Sequence, residues 1–351
     1  MIGLTPERIV EELEAFNARL TRGIQTLSGV GEIEAGVSPR EAVYREDKLI
    51  LYRYRPRATE PHPVPLLIVY ALVNRPYMMD LQEDRSMIRG LLDAGLDVYL
   101  IDWGYPDAGD RGLTLSDYID RYITHCVDYL RDRHRQDSIN LLGVCQGGAL
   151  SLCFASLYPE RIRNLVTMVT PVDFHTPDNL LTHLIRHVDV DLLVDTLGNL
   201  PGGLLNFAFL SLSPFRLAGQ KYVDMMDILD DAEALKNFLR MEKWIFDSPD
   251  QAGEAFRQFA KDFFQQNKLV RGEVIIGDRR VDLRNVAMPV LNVYAIQDHL
   301  VPPAASRALA DCCGSQDYAE LSFRGGHIGI YVSARAQREI PPAIADWLLG
   351  R

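Results

Sequence analysis

Three residues of this chain have the types and the order needed for covalent acyl chemistry. The first is Cys145, centred in "GVCQGG". A strand-like apolar run precedes it and a helix-like run, "ALSLCFASLYP", follows. That context describes a nucleophile elbow of the form G-x-S-x-G, with sulfur in place of oxygen. Such a turn is strained and packs tightly, so its neighbours must be small. Gly143, Gly147 and Gly148 meet that need. The start of the following helix favours a thiolate and aims the Gln146 N–H at a developing oxyanion. The bland alternative is a buried structural cysteine beside a glycine-rich turn.

An elbow nucleophile needs a base and a carboxylate, in the chain order nucleophile, acid, histidine. Asp298 ends the apolar strand in "VYAIQDHLVP", where carboxylates reach an active-site rim. His327 follows a strand and two glycines in "LSFRGGHIGIYVS". A strand-end Asp alone is often only a helix cap. His62, His134, His175, His183 and His187 lie too early in the chain or inside an inserted region. His299 adjoins Asp298 and either lines the same cleft as a substrate contact or is an exposed loop residue.

The implied mechanism is direct. His327 takes the thiol proton, Asp298 orients the imidazole, and Cys145 attacks an acyl group. The second oxyanion donor is expected in the loop near Val73 and Asn74. The acyl-enzyme is a thioester. From a thioester donor such as an acyl-CoA, its formation is close to isoenergetic, and it stays reactive toward an alcohol. Thiol chemistry therefore suits transfer as well as hydrolysis.

The elements that position these residues alternate. Leu66–Leu72 and Val98–Trp103 read as buried strands, with a helix ending at Gly95 between them. "LSDYIDRYITHCVDYLRDRH" reads as an amphipathic helix and "IRNLVTMVTPVDF" as a strand. "AVYREDKLILYRYRP" reads as a hairpin around Glu46-Asp47. The expected fold is α/β: a mostly parallel sheet with helices on both faces, the α/β-hydrolase arrangement. The rhythm breaks after Phe174. We expect a core part over 1–174, a mostly helical cap over 175–285, and a second core part over 286–351. "DILDDAEALKNFLRMEKWIF" is the clearest cap helix, and "PPAIADWLLG" reads as the final helix. Near the N-terminus, Ile9, Leu13, Phe16, Leu20 and Ile24 mark an amphipathic helix over Thr5–Leu27.

Composition narrows the function classes. The chain has 351 residues, 47% hydrophobic and 24% charged, enough for a large core. A net charge of −11 argues against nucleic-acid binding. No apolar run is long enough for a membrane span, and the first residues lack a signal-peptide pattern. Five cysteines without a C-x-x-C pair give no disulfide framework and no metal site, so a reducing cytoplasm is expected. Cys126 and Cys153 read as buried helix residues, and Cys312-Cys313 as neighbours near a loop.

"GVCQGG" also matches the G-x-C-x-G-G box of polyhydroxyalkanoate synthases. "LIVYALVNRPYMMDLQEDRSMIRGLLDAGLDVYLIDWG", "VTMVTPVDF", "MEKWIFDSPDQAGEAFRQF", "IQDHLVPP" and "GGHIGIYVS" resemble the short class III catalytic subunits of that family. The resemblance implies polymerisation of (R)-3-hydroxyacyl-CoA, mainly 3-hydroxybutyryl-CoA, to polyester with release of CoA. It implies that Cys145 holds the acyl or growing chain and that His327 is the base. Asp298 either orients His327 or helps to activate the 3-hydroxyl. No cofactor is implied beyond the CoA thioester substrate. The implied partners are a non-catalytic E subunit, a second copy of the chain and the surface of polymer granules. Arg216, Lys221, Arg240 and Lys243 are candidates for CoA phosphate contacts. Two rivals are a thiol hydrolase of the same fold and a granule scaffold with a relict site.

Overall fold

Runs of buried apolar sequence form a single large sheet in this computed structural model, which describes residues 34–212, 225–229 and 231–351. Its strands are β1 (Arg40–Glu46), β2 (Leu49–Tyr54), β3 (Leu66–Val69) and β4 (Val98–Asp102). They continue with β5 (Ile139–Val144), β6 (Ile162–Met168), β7 (Val290–Ala295) and β8 (Tyr318–Phe323). Their order is β1-β2-β4-β3-β5-β6-β7-β8. β1 and β2 form the expected antiparallel hairpin, turning at Asp47 with φ 49°. β2 runs antiparallel to β4, and every later pairing in the sheet is parallel.

Side chains alternate across the sheet because successive strand residues point to opposite faces. Leu67, Val69, Ile101, Leu141 and Leu165 pack on one face with Ile119 and Phe154. Leu66, Ile68, Leu100, Leu142 and Val166 pack on the other with Ile88 and Ile344. Both faces are therefore covered, as a parallel sheet requires. The longer helices are α1 (Met87–Asp93), α2 (Thr124–His134), α3 (Gln146–Leu157) and α4 (Val190–Leu197). They continue as α5 (Gly202–Ser211), α6 (Ala232–Phe246), α7 (Gly253–Phe259) and α8 (Ala334–Leu349). Among the described residues, the segment between β6 and β7 is mainly helical, with one short ribbon pairing Ile275–Ile276 and Arg279–Arg280.

Three expectations need correction. β3 stops at Val69, and Tyr70–Leu72 continue as buried loop toward the site. β4 ends at Asp102 rather than at Trp103, whose indole donates to the Tyr70 carbonyl. The last helix starts at Ala334, capped by Ser333, and carries Pro341 and Pro342 inside it. An interior proline costs about 3 kcal/mol or more. Burial offsets it: Pro341 packs so close to α1 that a Cβ on Gly90 would lie 2.6 Å from it. The amphipathic helix expected over Thr5–Leu27 lies outside the described residues.

Candidate active site

Register brings the site together. Val69 pairs with Gly143, Val144 with Met168, Met168 with Val293, and Ala295 with Phe323. The carboxyl ends of five strands thus lie side by side. Cys145 follows β5, Asp298 follows β7, His327 follows β8, and Val73-Asn74 follow β3. Residues far apart in sequence meet there because parallel strands all point the same way.

The elbow has the expected strain. Cys145 has φ 54° and ψ −122°, left-handed backbone for a residue with a side chain. It is held by its N–H on the Met168 carbonyl at 2.9 Å and by the Gly148 N–H on its own carbonyl at 3.0 Å. The three glycines are sterically required. A Cβ on Gly147 would lie 2.3 Å from the Val69 carbonyl, and one on Gly148 would lie 1.8 Å from Thr170 Oγ1. One on Gly143 would lie 2.6 Å from the Gly148 Cα. α3 is buried almost throughout, while Cys145 itself keeps partial exposure.

The histidine and the carboxylate form a dry pair. His327 Nδ1 lies 2.7 Å from Asp298 Oδ2, and the Asp298 side chain is fully buried. Asp298 Oδ1 accepts the N–H groups of Leu300 and Val301, each at 2.9 Å. Both of its oxygens are therefore occupied. Cys145 also acts on the imidazole electrostatically. Burial pulls the His327 pKa down, but the charges and hydrogen bonds of Asp298 and Cys145 outweigh it and push it up to about 10.

The other expected residues fall as follows. Gln146 begins α3, and its side chain also braces the turn, because Oε1 accepts the Leu72 N–H at 3.1 Å and ties the elbow to the β3 loop. Asn74 is left-handed at φ 60°, and its amide donates to Ser248 Oγ at 2.6 Å. Val73 lies between these two tied residues, partly buried. His299 sits partly buried beside Asp298. Arg240 directs its guanidinium to the Glu34 carbonyl, Gln82 and Asn237, which leaves it a poor candidate for a phosphate. Arg216 and Lys221 lie outside the described residues. Cys126 and Cys153 are buried, and burial pushes both thiols far up.

Sequence reasoning missed Tyr331. It lies edge-on to His327, ring centres 6.0 Å apart at 80°, and is 1% exposed. Its hydroxyl is buried without a protein partner. Burial, then the charges of Tyr70, Cys145 and Asp298, holds its phenol well above the usual range.

Comparison with known proteins agrees with this fold. A family model described as alpha/beta hydrolase fold matches residues 64–334. A second, the N-terminus of poly-beta-hydroxybutyrate polymerase, matches residues 7–91. A monoacylglycerol lipase from Paleococcus ferrophilus superposes with a TM-score of 0.56 at 18% identity, covering 87% of this chain and 99% of its own. That likeness speaks for the fold alone. The poly(3-hydroxyalkanoate) polymerase subunit PhaC of Allochromatium vinosum is 62% identical over 100% of this chain and 99% of its own length. The subunit of the same name from Synechocystis is 57% identical over 98% of this chain and 93% of its own. Matched end to end at that identity, the chain belongs to the poly(3-hydroxyalkanoate) polymerases, a family of acyl-transferring enzymes.

Proposed function

We propose that this chain polymerises (R)-3-hydroxyacyl-CoA, mainly 3-hydroxybutyryl-CoA, into polyester and releases CoA, with Cys145 as the covalent carrier. The observation that carries the reading is the contiguous array of a strained elbow thiol, His327 and a doubly anchored Asp298. His327 accepts the thiol proton, and the sulfur attacks the thioester carbonyl. The oxygen gathers charge against the Gln146 N–H and a second N–H at Val73-Asn74. Collapse expels CoA thiolate, which takes the proton from His327, and leaves the acyl group on sulfur. The 3-hydroxyl of another unit, or of the growing chain, then attacks that thioester with His327 as base. The filled oxygens of Asp298 favour an orienting role over direct work on the hydroxyl. The reaction calls on no cofactor beyond its CoA substrate.

Residues 175–285 are read as a cap that limits water at the thioester. The non-catalytic E subunit, a second copy of the chain and the polymer granule are the proposed partners. Exposed Leu192 and Phe207, on α4 and α5, are apolar surface that such partners would cover. Among the described residues no helix is long and apolar enough to cross a membrane.

The test uses the full chain with its E subunit and 3-hydroxybutyryl-CoA, measuring both CoA release and polymer. Polymer is expected with wild type and none with Cys145→Ala. Free hydroxyacid as the sole product would replace the polymerase reading with a thioesterase.

A further inference from the structure

The loop after β3 is tied down on both sides of Val73. On one side Leu72 gives its N–H to the Gln146 side chain at 3.1 Å, which fixes the loop to the elbow. On the other side Asn74 adopts a left-handed backbone, tolerated by Asn better than by most residues. Its amide does not close its own turn. It donates to Ser248 Oγ at 2.6 Å and, more weakly, to the Trp244 carbonyl at 3.4 Å. Ser248 Oγ in turn donates to Asn206 Oδ1 at 3.0 Å. The Asn206 amide then bonds the Ile245 carbonyl at the end of α6. Asn206 is 8% exposed, inside α5. The contact between α5 and the Ser248 loop is backbone against backbone, because a Cβ on Gly202 would lie 2.1 Å from the Ser248 carbonyl. A chain of side-chain bonds thus runs from the inserted segment to the residue beside a proposed oxyanion donor.

We propose that Asn74, Ser248 and Asn206 form a positioning relay that sets the direction of the Val73 N–H, so that docking of the inserted segment completes the oxyanion hole. This rests on the reading of Cys145 as the acyl nucleophile. The physical reason is that a backbone N–H points where the dihedral angles of its neighbours send it. With Leu72 and Asn74 both anchored, Val73 has little freedom left. An oxyanion donor acts mainly in the transition state, and a misplacement of about 1 Å costs about a hundredfold in rate. The relay side chains bond one another and the inserted segment, and act on the site through Val73.

Two variants cut the relay from opposite sides. Asn74→Gly keeps the left-handed backbone accessible and removes the amide. Ser248→Ala leaves the β3 loop untouched and removes the anchor. The full chain with its E subunit is mixed in excess with 3-hydroxybutyryl-CoA, and the first CoA released is timed. Each variant is expected to slow that step about 10- to 100-fold while KM in steady state moves less than about twofold. Because both cut one relay, the double variant is expected to be no more than about threefold slower than Asn74→Gly alone. Release within about twofold of wild type in both variants, or single losses that multiply in the double, would overturn the relay. A change confined to melting temperature would make these bonds structural and also overturn it. Cys145→Ala is run alongside: if it still released CoA, the reading of the site would fail, a result distinct from failure of the relay.

Discussion

At the carboxyl edge of the sheet, Cys145, Asp298 and His327 follow strands whose neighbours are nearly all apolar and dry. The segment between β6 and β7 also packs apolar residues such as Phe259 and Phe263 into the core, but polar ties add to its hold. Asp247 accepts the hydroxyls of Tyr77 and Tyr105 at 3.1 and 2.7 Å, and the Trp244 indole donates to the Arg75 carbonyl at 2.8 Å. Arg257 and Lys261 bind Asp191 at 2.6 and 2.7 Å, joining α4 to α7 and the turn that follows it. The same segment leaves Leu184, Leu192, Leu204 and Phe207 exposed. Close apolar packing fixes atoms to fractions of an ångström and suits a nucleophile that must meet its base. Directional hydrogen bonds to solvent-accessible partners hold a shape at lower cost of release. The proposed chemistry is built on the first kind of region, and the proposed access and partner surfaces on the second.

That contrast can be broken most severely at the proposed nucleophile. Cys145→Ser preserves the elbow but offers an alkoxide that is harder to form and leaves the acyl group less readily. CoA release should fall at least about a hundredfold, the scale of a general-base contribution. Retention of most activity would argue against a thioester carrier. Gly148→Ala attacks the packing beneath the site, where its Cβ would lie 1.8 Å from Thr170 Oγ1. Urea unfolding should show a loss of about 1–3 kcal/mol.

The buried pair gives a pH test. His327 is raised in the folded protein to about 10 from an ordinary 6.5. A raised histidine contributes stability that is complete below its unfolded pKa and is lost as pH rises through the folded one. Wild type should therefore exceed His327→Gln in stability near pH 6, and the gap should close by about pH 10. An unchanging gap across that window would rule out the charge interaction as its source. The smallest effect belongs to the inserted segment. A Cβ on Gly203, in the first turn of α5, would meet nothing within 4 Å. Gly203→Ala should stabilise the protein by about 0.5 kcal/mol, the opposite sign to Gly148→Ala.

Much of the sheet was legible because buried parallel strands are short apolar runs flanked by helical periodicity. β5, β6 and β7 could be read that way, and with them the places of Cys145 and Asp298. The hairpin of β1 and β2 was legible for another reason, two β-rich runs around a polar pair. Where local signals conflict with burial the reading slipped. Pro341 looked like the start of a helix, yet it lies inside one, because its ring packs against Gly90. Tyr331 gave no local sign of its place, since an apolar-looking "HIGIYVS" does not reveal which wall the phenol faces.

By itself the sequence determined the thiol, the glycines around it, the order of Cys145, Asp298 and His327, and the alternation of strand and helix. These are local requirements: an elbow admits only small neighbours, and a triad on this fold admits only one order. Tertiary structure decided the rest. Parallel register brought positions 145, 298 and 327 to one edge. Adjacent charge raised His327 against the effect of burial, and two segments far apart in sequence closed on either side of Val73. Those outcomes depend on which surfaces exclude water and which strands lie side by side. Both are properties of the folded chain as a whole, and no short stretch of it carries them.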